Sequence, residues 1–163
     1  VRHKLAHAEL NALLKVSEFD YPEIRKFTLY STTEPCPLCF GVIVLANIRD
    51  LKFVARDRFA CGAELNKKSK YIASKKINIT GPVKDLEKIQ ITIHTVNELI
   101  RDGKSEKLLN AWKKDSREAV ECGIKLFKDQ TLQRLMEKDA PASEVIEIIS
   151  ELHKIKAAPA IAL

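Results

Sequence analysis

The chain has 163 residues, of which 45% are hydrophobic and 31% charged, enough for one ordinary domain with its own core and too little for two full ones. Its 28 Lys and Arg stand against 22 Asp and Glu, a formal charge of +6, which excludes a strongly acidic character and permits an anionic ligand or RNA without demanding either. Five Gly, six Pro and four Cys exclude collagen-like, linker-rich and disulfide-scaffold chains.

Taken in chain order, Ala6 to Val16 is predicted helical, with Ala6, Leu10, Leu13 and Leu14 as an apolar stripe. Asp20, Tyr21 and Pro22 end that segment. Phe27 to Tyr30 reads as a short strand, and Ser31-Thr32-Thr33 as a polar turn. Pro35 is placed to open a second helix from about Cys36 to Ala46. Phe40, Val42, Ile43, Val44 and Leu45 make that helix apolar nearly all round, so it is expected to be buried. Asn47 and Asp50 at its end read as caps. Leu51 to Ala55 is a strand, and Arg56 to Asn66 a loop centred on Cys61-Gly62. Tyr71 to Ser74 forms a helical turn and Ile77 to Ile79 a short strand. This order of helices and strands predicts an α/β domain with a partly parallel sheet.

The remainder is different. Ile89, Ile91 and Ile93 alternate, so Ile89 to His94 is either a strand or the start of a helix running through Leu99. Ser105 to Phe127, Thr131 to Met136 and Ser143 to Ile155 are predicted helical, with Trp112 docking this tail. The organisation expected is therefore a core over residues 1–100 and a helical extension over residues 101–163. The sequence holds no 18-residue apolar run and no visible secretion signal, so a cytoplasmic setting is expected. It opens Val1-Arg2-His3 and its one methionine is Met136, so residues upstream are expected.

Chemistry concentrates in two places, His7-Ala8-Glu9 and Thr33-Glu34-Pro35-Cys36-Pro37-Leu38-Cys39. Cys36 and Cys39 are three apart at a helix start and share one face, so both sulfurs can meet one ion. The helix N-terminus favours thiolate there. Zinc binds thiolate and neutral imidazole and takes four ligands. His7 can supply the third and water the fourth, which makes a catalytic site. Glu9, left unbound beside such a water, can carry its proton. A Cys-x-x-Cys pair alone also suits a redox-active, structural or inert role, and Cys61 is the one candidate for a fourth protein ligand.

With those residues in place, the sequence resembles the zinc-dependent cytidine and deoxycytidylate deaminase superfamily, whose signature is His-x-Glu followed by Pro-Cys-x-x-Cys. The run from Thr33 to Cys39 with Gly41, and Ala55-Arg56-Asp57 after the next strand, are similar to the branch of tRNA adenosine deaminase, guanine deaminase and cytosine deaminase. The resemblance covers Ala6 to Asp57. It implies a cytidine deaminase-like three-layer α/β/α sandwich, truncated at its N-terminus, with further elements upstream that include a substrate-holding Asn. It implies zinc on His7, Cys36 and Cys39, Glu9 as proton shuttle, and substrate contacts around Thr33 and Pro35. It also implies a homodimer. The reaction implied is hydrolytic deamination of a nucleobase or nucleoside, with adenosine in tRNA as one alternative substrate and a non-catalytic zinc-containing binding protein as another reading.

Other residues carry weaker expectations. Phe59, in the loop after a strand, is a candidate to stack on a base. Arg56 and Asp57 make a structural pair or shape the pocket edge. Lys67, Lys68, Lys70, Lys75 and Lys76 form a solvated basic face that can touch phosphates. His94 reads as a structural histidine, and His3 and His153 as solvated.

Overall fold

The computed structural model describes residues 4–16, 19–101 and 106–155, and the expectation for His3 falls outside them. The described residues divide into two compact units, 1–83 and 84–163. No helix among them is long and apolar enough to cross a membrane.

The first unit is mixed α/β. Its elements run α1 (Ala8–Leu13), β1 (Thr28–Thr33), α2 (Pro37–Leu45), β2 (Asp50–Ala55), α3 (Leu65–Lys68), α4 (Lys70–Ala73) and β3 (Asn78–Thr80). The strands lie in the order β1-β2-β3, all parallel, so each connection carries a helix across the sheet. Thr28 pairs with Asp50 and Thr33 with Ala55, while Leu51 pairs with Ile79. Leu51, Phe53 and Ala55 alternate inward along β2, the two-residue period of a strand. Leu51 meets Phe40, Ile43, Val44 and Ile48 from α2 and its end, together with Leu13, Ile24 and Ile77.

Four expectations are corrected here. Ser31-Thr32-Thr33 is no turn but the second half of β1, because the parallel partners Phe53 and Ala55 take up its backbone. Pro37, rather than Pro35, occupies the first turn of α2, and Cys36 caps it. The apolar composition of α2 does not bury it all round: Leu38 is 40% and Leu45 72% exposed, on the side opposite Phe40 and Ile43. The helix α1 is also shorter than its apolar stripe, and Leu14 lies exposed beyond it.

Of the two residues read as caps, only Asn47 is one. It stands at φ 59° just past α2, and the N–H groups of Asn47 and Ile48 return to the carbonyls of Val44 and Ile43, the Schellman pattern. Asp50 instead ties the strands together. Its carboxylate accepts the Thr28 hydroxyl at 2.7 Å and the Asn78 amide at 2.8 Å.

The second unit is helical: α5 (Lys84–Arg101), α6 (Glu106–Lys128), α7 (Thr131–Glu137) and α8 (Ala142–Leu152). The isoleucine alternation therefore belongs to a helix. Ile89, Thr92 and Val96 are buried along one side, a spacing no strand produces. The hydroxyls of Thr92 and Thr95 turn back to the carbonyls four residues earlier, which hides their polarity. This lets α6 approach closely at Gly123, where an added Cβ would stand 2.6 Å from the Thr95 Cβ. The backbone of α6 leaves helical angles at Ser116, whose hydroxyl accepts the Ala119 N–H at 3.2 Å and so caps the second half. Trp112 is buried and packs on His94, with ring centroids 5.5 Å apart.

His153 is not solvated. It is buried, with Nε2 2.9 Å from the Thr92 hydroxyl and Nδ1 3.5 Å from the Glu118 carboxylate. The reason is its place at the end of α8, where Ile149 one turn earlier is fully buried. Helical periodicity then turns His153 inward too.

Candidate metal centre

Two helix starts bring the site together. His7 is the N-cap of α1, in extended geometry, and its carbonyl accepts the first helical bond from Asn11. Cys36 is the N-cap of α2, and Pro37 follows where a missing N–H costs nothing. One turn on, Cys39 faces the same way as Cys36.

The result is one compact donor set. His7 Nδ1 lies 3.5 Å from Cys36 Sγ and 3.3 Å from Cys39 Sγ. A tetrahedral zinc with Zn–S of about 2.3 Å and Zn–N of about 2.0 Å needs a sulfur–nitrogen spacing of about 3.5 Å. The spacing observed is the one such an ion requires. Among the described residues, His7, Cys36 and Cys39 are the one group of three or more potential ligand side chains placed to hold a metal. Cys61 does not join it.

Glu9 borders this set without entering it. One carboxylate oxygen is 3.4 Å from Cys39 Sγ, and the other is 3.3 Å from the Ser31 hydroxyl. Ser31 carries no signal in the sequence, where Ser-Thr-Thr has the composition of a turn. As a strand residue it alternates inward with Leu29 and Thr33, and that places its hydroxyl beside Glu9.

Burial pushes the Cys39 thiol well above its ordinary value, and the neighbouring Glu9 and Cys36 push it further. In the protein alone these influences reverse the preference for thiolate expected at the helix N-terminus. A divalent ion among the sulfurs restores the thiolate form, because a coordinating thiol is deprotonated. Two soft sulfurs and an imidazole suit zinc.

The loop after β2 closes over the same peptide. Gly62 N–H donates to the Pro35 carbonyl at 3.0 Å. A Cβ on Gly62 would meet that oxygen and the Cys36 carbonyl carbon at 2.6 Å, so only glycine fits. Glu34 is buried at the end of β1, and its carboxylate accepts the Asp57 N–H at 3.3 Å. Burial pushes its carboxyl above the ordinary value, while the amide N–H groups of Asp57 and Ala63 pull it down. Asp57 in turn accepts the N–H groups of Phe59 and Ala60. It therefore shapes the loop.

The remaining predicted residues are placed as follows. The Thr33 carbonyl accepts the Ser31 hydroxyl at 2.7 Å. Pro35 is buried, and its carbonyl is engaged by Gly62. The Phe59 ring is half-exposed.

With this geometry in view, residues 2–55 match the family model described as the cytidine and deoxycytidylate deaminase zinc-binding region. Residues 2–55 are thus similar to that zinc-binding region, and His7, Cys36 and Cys39 within them form a donor set able to hold a metal. The match ends with β2 and includes His7, Glu9, Cys36 and Cys39. Searches of curated proteins and of solved structures return no match.

Proposed function

We propose that the protein is a zinc-dependent hydrolytic deaminase that converts the exocyclic amine of a nucleobase or nucleoside to a carbonyl and releases ammonia. The observation that carries this reading is the free carboxylate of Glu9 beside the donor set, 3.4 Å from Cys39 Sγ. A purely structural zinc needs no such group.

When bound, zinc supplies a Lewis acid and brings the pKa of a coordinated water towards neutrality. His7, Cys36 and Cys39 hold the ion, and the thiolates offset its charge. Glu9 takes one proton of the attacking water and passes it to a ring nitrogen, then takes the remaining hydroxyl proton of the adduct and delivers it to the amine, which leaves as ammonia as the C=O bond forms. The Ser31 hydroxyl gives its proton to the Thr33 carbonyl, so its oxygen, 3.3 Å from Glu9, can accept from that carboxyl when it carries a proton. The backbone near Thr33 and Pro35 and the ring of Phe59 are the proposed substrate contacts.

The architecture proposed is the three-layer α/β/α sandwich of cytidine deaminase-like proteins, nearest the branch of tRNA adenosine, guanine and cytosine deaminases. The exposed side of α2, with Leu38 and Leu45 uncovered, supports a homodimer through that helix. A second substrate reading, adenosine in tRNA, is favoured by the exposed Lys67, Lys68, Lys70 and Lys76 of the α3–α4 segment.

The test has two steps. Adenine, guanine, cytosine, their nucleosides and a tRNA are screened for ammonia release by the zinc-loaded protein. Glu9→Gln is then assayed on the substrate found. It should keep its zinc and lose at least about 10²-fold in kcat, the low end for general acid–base catalysis. Turnover near the normal rate would sink the mechanism, and loss of zinc would make Glu9 a ligand instead. No ammonia from any substrate would favour the non-catalytic binding protein.

A further inference from the structure

We propose that Glu34 is a positioning residue for the metal centre: its buried carboxylate pins the loop after β2 onto the Pro35–Cys36 peptide and so fixes where the Cys36 sulfur stands. This rests on reading His7, Cys36 and Cys39 as a zinc site.

Glu34 sits where the sheet hands over to the site. Its own N–H donates to the Ala55 carbonyl at 2.7 Å, which extends the β1–β2 ladder one residue past the strand. Its side chain is only 6% exposed. A carboxylate in such a place is costly unless its oxygens are hydrogen-bonded. Here one oxygen accepts the Asp57 N–H at 3.3 Å, and the Ala63 N–H on the other side of the same loop acts to lower its pKa. A carboxylate suits this task because it offers acceptors only. An apolar side chain would leave the Asp57 amide unpartnered, and an amide side chain can turn a donor towards it.

The clamp bears on Cys36 through Gly62. The loop that Glu34 holds at Asp57 lays Gly62 on the Pro35–Cys36 peptide, where its N–H donates to the Pro35 carbonyl. That peptide sets the backbone of Cys36, whose φ and ψ as N-cap are −66° and 169°. It therefore sets the direction of the Cα–Cβ bond. Zinc tolerates errors of about 0.2 Å in its ligand distances, so a loosened peptide displaces Sγ beyond what the ion accepts. Partners that orient metal ligands are worth about 10–100-fold in affinity.

The experiment compares the full chain with Glu34→Gln and Glu34→Ala. Zinc affinity is measured by competition with a chromophoric chelator, and cobalt(II) is added to the metal-free proteins to record the thiolate charge-transfer and d–d bands. The wild type should bind one zinc and give an intense tetrahedral cobalt spectrum. Glu34→Gln, which keeps the volume and one acceptor, should bind about tenfold more weakly, and Glu34→Ala about 10²-fold. Both should show weakened or shifted cobalt bands at saturation, with helicity by circular dichroism unchanged. If Glu34→Ala fails to fold, Glu34→Gln decides. A folded Glu34→Gln with wild-type affinity and spectrum overturns the positioning role and leaves the zinc site standing. A wild type that binds neither metal overturns both.

Discussion

Each unit of the molecule gathers polar groups around one histidine, and the two clusters end differently. In the helical unit, His153 faces the Thr92 hydroxyl and the Glu118 carboxylate. Thr92 is within reach of the Lys88 and Ala119 carbonyls, and Glu118 pairs with Lys88. Each of these groups has a partner of its own within the unit. In the α/β unit, His7 Nδ1 faces two sulfurs, and Glu9 faces one of them. Here two sulfurs converge on one ring nitrogen at the spacing of metal ligands. A histidine among partners within its own unit is architecture; one converging with two sulfurs is a donor set that could hold a cation.

The largest effect should come from breaking the His7 cluster. His7→Ala and Cys39→Ala should each abolish stoichiometric zinc, measured by atomic absorption on purified protein. Retention of one zinc per chain by either variant would mean that the ion sits elsewhere.

The helical unit should answer by stability. Ile149 is fully buried among Ile89, Val96, Leu126 and Leu132, so Ile149→Ala should cost about 2–5 kcal/mol in urea denaturation. Zinc content should be unchanged; a lost zinc would undo the division between a metal-binding and a self-satisfied cluster.

Next in size is Thr92→Val, which keeps the shape and removes the hydroxyl facing His153. The buried ring nitrogen then lacks its partner, at about 1–3 kcal/mol. A neutral result would show that the Thr92–His153 contact is incidental. Gly123→Ala should cost a similar amount, about 1–3 kcal/mol, because the new methyl enters the space of Thr95.

The smallest effect is a pH dependence in the α/β unit. Hydrogen bonding from Thr28 holds the Asp50 carboxyl below its ordinary 3.8, with Asn78 and Lys52 acting in the same direction. The unfolded chain then binds the proton more readily. The stabilisation is fully present above the unfolded value and is lost as pH falls through the folded one. Asp50→Asn should therefore be less stable than the wild type at pH 6, with the gap closing towards pH 3. A gap independent of pH would assign the effect to geometry rather than charge.

The site and the fold were legible to different depths. His7, Glu9, Cys36 and Cys39 could be read directly, because their chemistry is local: one helix start for each pair. Ser31 and Glu34 could not. Each depends on the strand register that seats β1 against β2, and Ser-Thr-Thr has the composition of a turn until Phe53 and Ala55 claim it. His153 was misread because its partner Thr92 lies 61 positions away.

The sequence by itself determined which groups can bind zinc, which residues alternate in β2 and which segments repeat at helical spacing, since all of these are set by neighbours a few residues apart. Only the tertiary structure decided that His7 Nδ1 meets two sulfurs about thirty residues away at 3.3–3.5 Å, that an alternating isoleucine run is helical, and that a glycine rather than any side chain must lie over Cys36. Those outcomes depend on distances across the fold, where packing overrides local preference.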